Sequence, residues 1–121
     1  MTTQRFSLRR RLESFRYAAR GIVVLSGQHN ARIHASAVIA VIAAGAAFQV
    51  SRLDWLALVL AIGLVLTAEA LNTGLELLAD AAVPERHPLV EKAKDVAAGA
   101  VLLSAVTAVA VAALVFGPKL L

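Results

Sequence analysis

Three long apolar runs, set between short charged stretches, constrain this chain more than any other feature. Ile33 to Val50 carries no Asp, Glu, Lys or Arg. Leu56 to Ala68 is likewise uncharged, and it sits inside a helical pattern that runs from Trp55 to about Ala82. Val96 to Phe116 is uncharged for 21 residues. A bilayer is crossed by about 20 apolar residues in a helix. Within lipid the backbone must satisfy its own hydrogen bonds, which a helix does. Hydrophobic residues make up 60% of the chain and mean hydropathy is +0.76, too apolar for an ordinary water-soluble domain. The expectation is an all-α integral membrane protein, one domain over 1–121. The chain has no cysteine, which excludes disulfides and thiol chemistry.

The boundaries read as follows. Residues 5–25 form an amphipathic helix, with Phe6, Leu8, Leu12, Phe15, Ile22 and Val23 recurring between arginines. Such a segment lies in the membrane interface, and Gly27 ends it. Membrane helices follow at 33–50, 55–82 and 88–116, the last opened by Pro88, a favourable first helical residue. Trp55 suits an interface. No short apolar core with a small-residue cleavage site follows the N-terminal arginines, so no cleaved signal peptide is expected.

Seven of the twelve Lys and Arg lie at or before Arg32. Beside three apolar spans, that arm faces anionic headgroups rather than nucleic acid. The arm and the 83–95 segment share one side and hold ten of the twelve basic residues, against Arg52 and Lys119 on the other. The positive-inside rule puts the arm and that segment of this multi-pass protein in the cytoplasm.

Six of the eight acidic residues fall between Glu69 and Asp95. A carboxylate at the bilayer costs about 3 kcal/mol on insertion scales. On a helix at about 100° per residue, Asn72, Glu76 and Asp80 fall at about −60°, −20° and +20° from Glu69. The four share one stripe, a catalytic or ion-binding face suited to a cation. Residues 55–82 make about 42 Å of helix against a hydrocarbon core of about 30 Å. Glu76 and Asp80 therefore project beyond the membrane and leave Glu69 near its edge. Plainer readings exist for each residue alone. Glu69 also reads as a structural carboxylate bonded to Asn or Ser of a neighbour. Glu76 and Asp80 read as a solvated helix end, and Lys94 with Asp95 as an interfacial ion-pair face. His29 and His34 read as structural, since no Cys or carboxylate is spaced to complete a metal site. His87, beside Pro88, reads as a turn residue.

Taken together, some blocks resemble a known family. EALNT at 69–73 followed by Glu76, HPL at 87–89, AKDVAAGAVLL at 93–103 and NARIH at 30–34 are similar to the prokaryotic diacylglycerol kinase and undecaprenol kinase family. The likeness covers roughly residues 10–118. It implies a homotrimer, with one surface helix and three membrane helices per subunit. It implies transfer of the ATP γ-phosphoryl group to a lipid hydroxyl, with Mg²⁺, at the cytoplasmic membrane surface. By the resemblance Glu69 matches the general base and Glu76 a metal-binding glutamate. Asn72, Asp80, Lys94 and Asp95 match positions around the nucleotide and its phosphates. Arg10, Tyr17, Glu85 and His87 match other nucleotide contacts. Gln28 occupies the place of a second metal-binding glutamate; its amide oxygen can ligate Mg²⁺ but brings no charge.

The residue types suit phosphoryl transfer, which needs positioning, charge neutralisation and help with the acceptor proton. Lys94 is a point charge for phosphate. The sequence has neither a P-loop nor a protein-kinase signature, so side chains across helices must hold the nucleotide. HPL, AKDVAAGAVLL and NARIH lie closer to the undecaprenol kinase branch, which favours undecaprenol as acceptor over diacylglycerol. Two other classes compete: a small proton-coupled exporter built on a membrane glutamate, and an inactive membrane scaffold, for which Gln28 is the sequence support.

Overall fold

The computed structural model describes residues 5–121. The first four residues of the domain set at 1–121 lie outside the described residues. Four helices follow in order: α1 Leu8–Ser26, α2 His29–Ala47, α3 Arg52–Ala82 and α4 Pro88–Leu120. The last three are long and apolar enough to cross a membrane. The all-α reading and the count of one amphipathic and three membrane helices both hold.

The helix ends follow local chemistry. The Ser7 side chain accepts from the Arg10 N–H and caps α1. Gly27 is the C-cap of α1, its N–H donating to the Val24 carbonyl at 3.1 Å. After it α2 starts at His29, four residues before the expected Ile33. Apolarity marks where a helix enters lipid, not where its backbone begins to coil. Asn30 and His34 are thereby helical and one turn apart. The chain reverses at 48–51, where Gln49 holds a left-handed φ of 50°. Ser51 Oγ accepts from the Asp54 N–H at 3.1 Å, so α3 begins at Arg52, three residues before the expected Trp55. The loop between α3 and α4 covers 83–87 as expected. There His87 Nδ1 accepts from the Leu89 N–H at 3.2 Å, ahead of Pro88 at the first turn. At the far end Gly117 and Pro118 do not stop α4, which runs on to Leu120; a proline's fixed φ is itself helical.

The long antiparallel hairpin of α3 and α4 is the frame, with α2 against α3 and α1 across α2 and α3. Val50, Leu58 and Val115 are buried together, with Val41, Trp55, Val111 and Phe116 around them. The Phe48 and Phe116 rings meet at 5.9 Å. This cluster gathers at the end of the bundle that holds the α2–α3 turn. The accessible surface is 9586 Å², about one and a half times the roughly 6,200 Å² of a compact soluble chain of this mass. Leu60, Leu102, Leu103 and Val109 are exposed. Faces of that kind belong in lipid or against another protein, and the spans make this an integral membrane protein.

Candidate active site

The stripe predicted on α3 is present, and burial falls along it. Glu69 is only 5% exposed. Asn72 is half-buried, while Glu76 and Asp80, one and two turns further on, are exposed. The Asn72 Oδ1 is buried and has no hydrogen-bond partner. Buried polar atoms without partners are rare. This one lies one helical turn before the Glu76 carboxylate.

Glu69 is held from α2. Asn30 Nδ2 donates to Glu69 Oε1 at 3.5 Å. His34 Nε2 lies 3.3 Å from Glu69 Oε2. Each carboxylate oxygen thus has one partner, which offsets part of the cost of burying it. Reasoning from sequence allowed Glu69 an Asn partner without identifying Asn30, and it read His34 as a structural histidine. The sequence carried only part of the signal: two polar residues at i and i+4 near the start of an apolar helix share one face, but that does not say which neighbour the face meets.

The polar ends of α3 and α4 meet through Asp80 and Lys94. Lys94 Nζ donates to Asp80 Oδ1 at 2.7 Å. Both side chains are partly or largely exposed, so the pair adds little to stability. Its weight is positional, since it places a cation beside the acidic stripe. Asp95 follows Lys94 and is exposed. In the loop before α4, Arg86 pairs with Glu91 at 2.6 Å, Glu85 is exposed, and His87 spends its Nδ1 on the helix cap.

Arg10 and Tyr17 lie on α1, seven residues apart and therefore on one stripe. The Arg20 guanidinium sits 5.7 Å from the centre of the Tyr17 ring. Gln28 is the N-cap of α2, yet its side chain makes no capping bond. Among the described residues, no three His, Cys, Asp or Glu converge as a metal cage.

A buried carboxylate on a membrane helix is thus followed by exposed carboxylates and, across a helix hairpin, by an amine. The profile described as prokaryotic diacylglycerol kinase matches residues 16–116. The chain belongs to that family. Membership makes it a membrane lipid kinase, and the exporter reading falls. The matched region takes in Tyr17, Gln28, the whole α3 stripe and the Lys94–Asp95 pair, but not Arg10. The chain is similar to an undecaprenol kinase of Bacillus subtilis, 38% identical over 117 residues that cover 96% of this chain and 95% of the relative. It is also similar to a diacylglycerol kinase of Synechocystis sp., 42% identical over 112 residues, covering 91% of this chain and 64% of that relative. No solved structure matches the chain.

Proposed function

We propose that this lipid kinase transfers the γ-phosphoryl group of ATP to undecaprenol at the cytoplasmic face of the inner membrane, as a homotrimer. The observation that carries the reading is the gradient along α3. Glu69, the one buried carboxylate among the described residues, lies at the lipid end and the exposed ones at the water end, so a hydroxyl that stays in the membrane meets Glu69 while a nucleotide meets Glu76 and Asp80. Glu69 accepts the proton of the lipid hydroxyl as its oxygen takes the phosphoryl group. Lys94 faces the transferred charge, and Asp95, Asn72, Glu85, His87, Arg10 and Tyr17 surround the nucleotide.

The stripe fits Mg²⁺. The unpartnered Asn72 Oδ1 and the Glu76 carboxylate are hard oxygens one turn apart. Mg²⁺ takes one or two protein carboxylates and completes its shell with phosphates and water. Glu76 would hold it, with Gln28 as a neutral second ligand. When bound, the ion neutralises phosphate charge.

Undecaprenol is favoured by the undecaprenol kinase relative, which this chain matches over nearly the full length of both. Diacylglycerol is the alternative. Three subunits are favoured by the family resemblance, together with the small-residue surfaces of the first and third spans, which allow close helix packing. The deciding experiment is transfer from labelled ATP to each lipid, with purified protein in mixed micelles. Preferential labelling of undecaprenol supports the assignment, and preferential labelling of diacylglycerol replaces it. Labelling of neither would exclude both lipids as the acceptor.

A further inference from the structure

We propose that His34 is a positioning residue for the phosphoryl transfer: together with Asn30 it orients the Glu69 carboxylate toward the acceptor hydroxyl. This rests on the reading of Glu69 as the base.

The geometry is a two-point hold from one helix. Asn30 and His34 stand four residues apart on α2, so they present to the same side. Asn30 Nδ2 donates to Oε1 at 3.5 Å, and His34 Nε2 lies 3.3 Å from Oε2. A carboxylate gripped at one oxygen still swings about its last torsion, because the well of an sp³–sp² torsion is broad. Contact at both oxygens restricts that swing. Each oxygen keeps lone pairs free to accept a further proton. With a proton on Nε2, the imidazole faces Oε2 as a donor.

Location separates His34 from an ordinary core histidine. It lines an apolar cavity of about 190 Å³ between α2, α3 and α4, with Val38, Leu58, Ile62 and Ala108 along the walls. It also lines the neighbouring groove between α1, α2 and α3. Both are almost wholly apolar, and their walls share His34, the residue that contacts Glu69, while Glu69 itself lines neither. A hydrocarbon-tailed alcohol that approaches from either side meets this imidazole beside the carboxylate. Misplacing a reacting group by about 1 Å costs about 100-fold in rate, and a base with slack in its last torsion misses by that much.

The test uses two amides that differ in reach. In His34→Gln the side-chain nitrogen occupies nearly the position of Nε2. In His34→Asn it stops at the position of Nδ1 and cannot reach Oε2. Both are polar amides of helical tolerance, so folding cost is matched between them. The full-length protein is measured in lipid micelles for kcat, for KM of ATP and lipid, and for nucleotide-analogue affinity. His34→Gln is expected to keep most of the rate. His34→Asn is expected to lose about 100-fold in kcat, with ATP KM and analogue affinity unchanged. Adding His34→Asn to Glu69→Gln should cost nothing more, since residues that act as a unit are not additive. Equal rates for the Gln and Asn variants overturn the proposal, as does a loss confined to KM or an additive double variant. A Glu69→Gln protein with wild-type turnover removes the base assignment itself, which is a separate result.

Discussion

Lys94 Nζ and Asp80 Oδ1 lie 2.7 Å apart, joining the last turns of α3 to the first turns of α4 across fourteen residues of chain. The pair is exposed enough that water competes for both charges. Its removal should therefore be felt in chemistry and hardly in folding. Lys94→Ala is expected to abolish productive binding of Mg·ATP while leaving thermal unfolding in detergent unchanged. A titration with a nucleotide analogue, run beside a melting curve, checks this. A large drop in melting temperature with analogue binding intact would make the lysine a structural strut.

Glu69→Gln should remove transfer while leaving nucleotide binding largely intact. The side chain is buried between α2 and α3, away from the exposed carboxylates of the stripe. Losing a general base costs about 10²–10⁴-fold in turnover. Turnover and analogue affinity are measured on the same preparation, and near-normal turnover would end the assignment.

Gln28→Glu should lower the Mg²⁺ concentration that gives half the maximal rate, because a carboxylate adds ligand charge to a hard-cation site. Glu76→Ala should raise it. Rates against free Mg²⁺ at saturating ATP separate the cases. If the curves of Gln28→Glu and the wild type superimpose, Gln28 does not face the metal and its role is confined to the start of α2.

Gly45→Ala should destabilise the bundle by about 1–3 kcal/mol, the range for overpacking. A Cβ there would stand 2.5 Å from the nearest atom of the Trp55 ring. Gly63→Ala is the control, since a Cβ at that position meets nothing within 4 Å and alanine is the better helix former. Unfolding of the two variants in the same detergent compares them. Equal stability would mean that Trp55 rotates away at no cost.

What the sequence determined by itself is local or additive. Span number follows from uncharged runs long enough for a bilayer, and the Glu69–Asp80 stripe from a fixed rotation per residue along one helix. The cap at Gly27, the loop at 83–87 and the start at Pro88 follow from backbone preferences of single residues. None of these depends on how one helix is turned against another. What only the tertiary structure decided is that rotation. It carries Asn30 and His34 to Glu69 across more than thirty residues, the Trp55 ring onto Gly45, and Lys94 onto Asp80. No periodicity along one helix encodes which face of its neighbour it will meet. That outcome is set by the summed packing of small and large side chains over the whole bundle, and so the histidine beside the buried carboxylate became visible only in the folded chain.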